Sequence, residues 1–594
     1  MKRILKDLLL IGLLFVALFG LLSLFWTQHL WGDVDIEQIF INMQEGLPEV
    51  SKQVLRGYII AFAASLVISF LLGMWCKYRY LAGLVCIFSG IIVWQLEIIP
   101  YFLNKHIYTD LYEREYVAPE SIEYTFPQKK RNLIVIYLES MEKDYTNSQL
   151  VGTNLLPKLS KYINHDLSFD GYHQLRHQDY TIAGKVNSMC AIAYRTHIFA
   201  HTNEYYTFLD DAVCYPQILK QNGYRTYFMK GANIKFARTG IFLQKHGFDD
   251  IAGKYEIEDT YHIPLQDYIG AFAGYQDRVL FDLIKSKLTE IAADPRPFLF
   301  MTTTLDTHFP DIYLDKSCTS SDSKTKDVIR CSDKMVAELL DWIQHQPFYD
   351  NTTIVVISDH IQTGRNALYP KNDNRQIVNF ILNPADPKLK PVPHTYTMLD
   401  VAPTILNAIG VTFEGGKFGL GRSLLASTPT LFEQMGNNLD LKIAQASHIY
   451  EKFEQNKNVI RPTYQAYGPW GTTVQDLAQI QSYAIYSNTL LDGVYLSEMS
   501  FTLPSDTPQD LMMTVRFKTM LNKQKKRHIK AIAGGIIVDD WNFSPQDKQP
   551  ITKQIRIPHS ALDGNHLAIE FLADDPFVET LSIGVMSFKI EEQH

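Results

Sequence analysis

The chain has 594 residues, 46% of them hydrophobic and 20% charged, with a net charge of −8. That length calls for several compact units at ~100–200 residues each, and the composition excludes a disordered or low-complexity chain. Six cysteines are too few for a disulfide-built scaffold, and the lack of a basic excess excludes nucleic acid as the main partner.

Residues 1–103 read as a transmembrane region of about three helices. Leu8 to Trp26 is 19 residues without a formal charge, and Gly57 to Cys76 is 20 more, bounded by Arg56 and Lys77. Each is long enough to cross a hydrocarbon core of ~30 Å as a helix. A third run extends from Leu81 to Gln95, is interrupted at Glu97 and resumes over Ile98–Leu103. Lys2, Arg3 and Lys6 precede the first span, and Lys77 and Arg79 lie between the second and third, whereas the first loop is acid-rich. Basic residues stay in the cytoplasm, which places the N-terminus inside and residues after about 104 outside. No small-residue cleavage site follows the first span, which argues against a removed signal peptide.

Residues 104–130 read as a connector. From 131 to 435, apolar runs of strand length alternate with helical patterns. The expected strands are Leu133–Leu138, Tyr224–Met229, Phe298–Thr304, Thr353–Ser358 and Gln376–Leu382. The expected helices include Tyr215–Gln221, Lys334–Gln344 and Met398–Ile409, the last with Gly410 placed as its cap. This alternation predicts a mostly parallel sheet covered by helices, with ligands at the carboxyl ends of its strands. Residues 436–594 read as a C-terminal β-sandwich-like domain, helical at first and then built from short strands, among them one at Ala531–Val538. Cys190, Cys214, Cys318 and Cys331 all fall in the part placed outside. An oxidising compartment suggests two bridges, Cys318–Cys331 and Cys190–Cys214, the alternative being four free thiols.

Three strand ends carry metal-competent groups: Glu139 after the first run, Asp306-Thr307-His308 after the third, and Asp359-His360 after the fourth. A lone Glu or His is ordinarily a loop residue, but three such ends on one sheet edge point to a site. Thr181 stands where a loop turns into a helix, in Tyr180-Thr181-Ile182-Ala183-Gly184. Its hydroxyl is either an N-cap or a nucleophile favoured by the helix dipole and a cation.

These motifs resemble the membrane-anchored phosphoglycerol transferases of the alkaline phosphatase superfamily, which include lipoteichoic acid synthase and the osmoregulated periplasmic glucan phosphoglycerol transferase. The matching pieces run in family order: Leu138-Glu139-Ser140, Thr181-Ile182-Ala183-Gly184, Lys230-Gly231-Ala232-Asn233 with Phe236, His246-Gly247-Phe248-Asp249, Asp306-Thr307-His308-Phe309-Pro310, Ser358-Asp359-His360 and Asp400-Val401-Ala402-Pro403-Thr404. The Thr-Ile-Ala-Gly piece favours the glucan-modifying branch. The resemblance implies one divalent metal ion, manganese or zinc, held by Glu139, Thr181, Asp359 and His360, with Thr181 also the nucleophile. It places His308 at the substrate phosphate or glycerol, and Asn233 and Arg238 in the substrate pocket, although Arg238 is not in clean register with the family arginine. The sulfatase signature Cys-x-Pro-x-Arg is missing, since Cys190-Ala191-Ile192 lacks the proline.

By this resemblance the protein is a transferase of a bacterial inner membrane, with its catalytic and C-terminal domains on the periplasmic side. It moves phosphoglycerol from phosphatidylglycerol to a glycan through a phospho-threonine intermediate. The competing expectations are a phosphoethanolamine transferase with the same metal–threonine core, a phosphodiesterase, and a catalytically silent membrane-anchored glycan-binding protein.

Overall fold

The computed structural model describes residues 2–31, 34, 36, 39, 52–76, 78–165, 167–195, 208–234, 236–321, 323–362, 368 and 374–454. Beyond these it describes 473–474, 482–489, 495–502, 510–521, 527–533, 536–543, 551–562, 566–573 and 581–592. The chain separates into two compact units, 1–251 with 265–456, and 252–264 with 457–594.

Two N-terminal helices, α1 (Lys2–Trp31) and α2 (Lys52–Trp75), are long and apolar enough to cross a membrane. The third expected span is α3 (Tyr78–Gln95) followed by α4 (Ile98–Asn104), which meet at 49°. The bend falls at Glu97, so the described helices give two spans, or three if the bent pair crosses as one. The loop acids between α1 and α2 all lie outside the described residues. Phe15 and Phe19 pack edge-on against Phe62, and Gln28 bonds Gln95 across α1 and α3 at 3.2 Å. A polar bridge inside an apolar bundle satisfies groups that lipid cannot.

The segment expected as a connector is knitted into the first unit. Leu111 and Tyr112 are fully buried. Val117 pairs with Gly419 and Thr125 with Thr412, and Lys442 reaches Asp110 at 2.7 Å.

The central sheet has six strands: β1 (Asn132–Leu138), β2 (Arg225–Lys230), β3 (Asp250–Ala252), β4 (Phe298–Thr303), β5 (Thr352–Ser358) and β6 (Asn379–Leu382). Their order is β3-β2-β4-β1-β5-β6, and β5–β6 is an antiparallel pair at one edge. β1, β4 and β5 are buried at every position. Strands covered on both faces read as unbroken apolar runs, which is why they were visible in sequence. The strand expected over Gln376–Leu382 shortens to its second half. Gln376 instead uses its side-chain oxygen to accept from the Gly171 and Tyr172 amides.

β1 lies between β4 and β5, and all three run in the same direction. The register pairs Tyr137 with Thr303 and Leu138 with Ser358. Three chain segments therefore leave the sheet side by side at one edge. Among the described residues of the second unit there are sheets of five and four strands. The strand expected at Ala531–Val538 is two, Arg527–Ala533 and Ile536–Phe543, paired antiparallel. The sequence between them is Gly534-Gly535, a two-residue hairpin signal that the continuous reading overlooked.

Candidate active site

Glu139 follows β1, Thr304 follows β4 and Asp359 follows β5. The Glu139 amide donates to Thr304 Oγ1 at 2.9 Å, and Thr307 Oγ1 donates to the Glu139 carbonyl at 2.7 Å. Asp359 Oδ1 accepts from the Ser140 amide at 3.1 Å and from the His360 amide at 3.0 Å. Backbone donors thus fix one oxygen of Asp359. Its other oxygen, Oδ2, is buried and has no hydrogen-bond partner.

His360 Nδ1 lies 2.7 Å from the Ile361 carbonyl, which assigns the proton to Nδ1 and leaves the Nε2 lone pair for another partner. Nε2 faces Glu139 Oε1 at 3.7 Å and Asp359 Oδ2 at 3.6 Å. All three side chains are buried, and one ligand atom from each lies within 4.8 Å of the others. An orphaned carboxylate oxygen, a second carboxylate and a free imidazole nitrogen fit a divalent cation. The other cluster of this kind among the described residues, Cys190, Cys214 and His246, differs chemically. Its two sulfurs are joined to each other and offer no thiolate. Cys318 and Cys331 are joined as well.

Thr181 opens α5 (Thr181–Cys190). The helix cap is Tyr180, in an extended conformation and with no side-chain cap bond. The Thr181 hydroxyl therefore does not serve as the N-cap. It donates to Glu139 Oε2 at 3.1 Å, which brings it to the cluster. Gly184 explains the approach. A Cβ there would lie 2.3 Å from the Asp359 carbonyl oxygen, so only glycine lets this turn of α5 rest on the Asp359 backbone.

The charges are crowded. Burial pushes Glu139 up, but the His308 and His360 imidazoles, the Ser140 hydroxyl and Lys185 together outweigh it and hold the carboxyl at about 2. Burial, then the Glu139 charge, raises Asp359 to about 6. Burial lowers His360, yet Asp359 and Glu139 raise it overall. Two carboxylates this close oppose each other's ionisation unless a cation lies between them.

His308 Nδ1 is buried without a hydrogen-bond partner, and its ring packs on Phe272 with centroids 4.7 Å apart. Parallel pairing with β4 brings the end of β2 to the same edge, and Asn233 follows it half-buried. Arg238 is also half-buried, its guanidinium 5.4 Å from the Phe208 ring centroid.

Sequence reasoning passed over Lys185. It is fully buried one turn after Thr181, its Nζ has no hydrogen-bond partner, and it lies 5.5 Å from the Tyr137 ring centroid. Burial lowers it to about 8, against the upward pull of Asp359 and Glu139. A lysine among Ile182, Ala183, Gly184 and Val186 was the available signal. Also missed was Arg375. Its guanidinium binds both Glu142 oxygens and the Gln362 carbonyl, which fixes the chain two residues after His360.

The domain is thus a mostly parallel α/β sheet that carries two carboxylates, an imidazole and a helix-start hydroxyl at its C-terminal edge. Residues 131–411 match the sequence profile of the sulfatase family. Phosphoglycerol transferase I of Citrobacter koseri and of Escherichia fergusonii are each 32% identical over 312 residues. The match spans 51% of this chain and 40% of each relative, so the chain spans about two fifths of the length of these curated relatives. Among solved structures, the chain is similar to the lipoteichoic acid synthase LtaP from Listeria monocytogenes, at 19% identity and TM-score 0.41 over 52% of this chain and 80% of that one. It is also similar to the integral membrane lipooligosaccharide phosphoethanolamine transferase A from Neisseria meningitidis, at 10% identity and TM-score 0.42 over 74% of this chain and 87% of that one.

Proposed function

We propose that this protein is a metal-dependent transferase that moves phosphoglycerol from phosphatidylglycerol to an extracytoplasmic glycan. The observation that carries the reading is the Thr181 hydroxyl bonded to Glu139 inside the buried Glu139–Asp359–His360 cluster. Relatives named phosphoglycerol transferase I support the choice of transferred group.

Glu139, Asp359 and His360, with Thr181, would hold one divalent ion, manganese or zinc, which would supply charge neutralisation at the phosphoryl oxygens and favour the alkoxide of the Thr181 hydroxyl. Thr181 Oγ1 attacks phosphorus, its proton leaving along the hydrogen bond to Glu139 Oε2. A bond forms from Oγ1 to phosphorus, and the bond from phosphorus to the diacylglycerol oxygen breaks. That oxygen takes up the proton released by Thr181 and diacylglycerol departs. An acceptor hydroxyl then attacks the phosphoglycerol on Thr181, the Oγ1–phosphorus bond breaks, and the acceptor's proton passes to Oγ1, regenerating the threonine. His308 offers its unpaired Nδ1 to the bound phosphate or glycerol, with Asn233 and Arg238 in the substrate pocket.

The active site faces the periplasm in this reading, with the N-terminus in the cytoplasm. The Lys and Arg distribution around the spans supports it, as do the two joined cysteine pairs, which suit an oxidising compartment. The test supplies phosphatidylglycerol and phosphatidylethanolamine separately to the full chain and follows diacylglycerol release with and without metal. Metal-dependent release from phosphatidylglycerol is expected. Release only from phosphatidylethanolamine assigns the other head group, and release without transfer to any glycan makes the protein a phosphodiesterase.

A further inference from the structure

The membrane segment and the nucleophile are connected by one short loop. Residues 81–104 contain a single acidic side chain, Glu97, flanked by Leu96, Ile98 and Ile99. It occupies the bend between α3 and α4, with a left-handed backbone at φ 50° and ψ 32°. A residue other than glycine keeps that conformation when its surroundings hold it there. One Glu97 carboxylate oxygen accepts from the Arg176 guanidinium, and the other lies 3.3 Å from His177 Nε2. His177 also has a left-handed backbone, at φ 57°. Both sides of this contact are thus held in backbone shapes that L-residues rarely adopt.

Arg176 and His177 are in the middle of a loop whose two ends reach the active site. On one side, Gln174 Oε1 accepts from the Ile361 amide at 3.2 Å, next to His360. On the other, Gln178 bonds both backbone groups of Tyr194, and the chain then passes through Tyr180 into Thr181. The Arg176 amide donates to Asp440 at 2.9 Å. The ends of the loop and the Arg176 amide therefore rest on the catalytic domain, while the side chains at its centre meet Glu97 of the membrane segment.

We infer that Glu97 is a positioning residue, which through Arg176 and His177 fixes the loop that sets Thr181 against Glu139. The inference rests on the proposed role of Thr181. It assigns the break in the third apolar segment a task in catalysis: the membrane region holds the nucleophile in place as well as anchoring the domain. A charged side chain among apolar membrane residues is costly and persists where it has a partner and a task.

The experiment uses the full chain in lipid nanodiscs and compares Glu97→Gln, Arg176→Ala and the exchanged pair Glu97→Arg with Arg176→Glu. The Arg176 side chain is 61% exposed, so its truncation breaks the contact without disturbing the core. Amide hydrogen exchange over 173–182 should rise about tenfold in both single variants while 132–138 stays protected. The kcat for diacylglycerol release should fall about tenfold with KM unchanged, and the exchanged pair should recover most of both losses. Unchanged exchange over 173–182, or a rise in KM alone, overturns the inference, because Glu97 would then act on lipid entry or on nothing catalytic. A parent protein that releases no diacylglycerol defeats the proposed function instead. The exchange comparison still decides whether Glu97 holds the loop.

Discussion

Replacing Gly184 with alanine tests how tightly the nucleophile is seated. The added Cβ would fall 2.3 Å from the Asp359 carbonyl oxygen and 3.0 Å from the carbonyl carbon. That is about 1 Å short of an ordinary non-bonded contact, and both atoms belong to backbone rather than to a side chain that can swing away. Either α5 or the end of β5 must retreat by about that distance. Overpacking of this kind costs ~1–3 kcal/mol of stability. The larger effect falls on geometry, because Thr181 and Asp359 sit on the two parts forced asunder. A displacement of ~1 Å at a reacting group is expected to lower turnover about 100-fold. The assay follows diacylglycerol release together with metal affinity by calorimetry and the melting temperature. The expected result is a folded protein with weakened metal binding and a kcat lower by about two orders of magnitude. A Gly184→Ala protein with parental kcat and metal affinity would refute the claim that this contact sets the site.

Glu139→Ala and Asp359→Ala should each lose bound metal and activity together. Metal content by mass spectrometry checks this, and full metal retention would remove that residue from the ligand set. Cys318→Ser opens a bridge joining residues 13 apart in sequence, which should cost ~3 kcal/mol in the chain-entropy account. Urea unfolding measures it, and an unchanged midpoint would contradict the bridge's contribution. Asp400 is buried where it accepts the Thr397 and Arg422 amides, and burial raises its carboxyl to about 6. A raised acid favours the folded state below its unfolded value, and that contribution is lost as pH rises through about 6. Thermal melts from pH 4 to 7 should therefore fall less steeply in Asp400→Asn than in the parent, and parallel curves would exclude Asp400 as a cause.

The strand ends were legible because β1, β4 and β5 are buried on both faces and so appear as apolar runs that stop at polar residues. Glu139, Asp306–His308 and Asp359-His360 were readable as candidates for that reason. That they share one sheet edge followed from the expected parallel sheet, but the strand order was not readable, because β1 lying between β4 and β5 is a pairing made across more than a hundred residues. The choice between cap and nucleophile at Thr181 also lay beyond local pattern. The orientation of its hydroxyl is decided by Glu139, 42 positions away. Gly184 was quoted as part of a motif, but its reason is a contact with the Asp359 backbone. Lys185 and Glu97 were hidden in opposite ways: one charge sits in an apolar helix, and the other served only to mark where a span breaks.

The central claim is that Thr181 carries the phosphoglycerol. The most direct measurement incubates the full-length protein with metal and phosphatidylglycerol, quenches it with acid and maps the peptides by mass spectrometry, alongside Thr181→Ala. The account predicts a phosphoglycerol adduct on Thr181 in the parent, and an Ala variant that folds, forms no adduct and releases no diacylglycerol. A Thr181→Ala protein that releases diacylglycerol at the parental rate would contradict it.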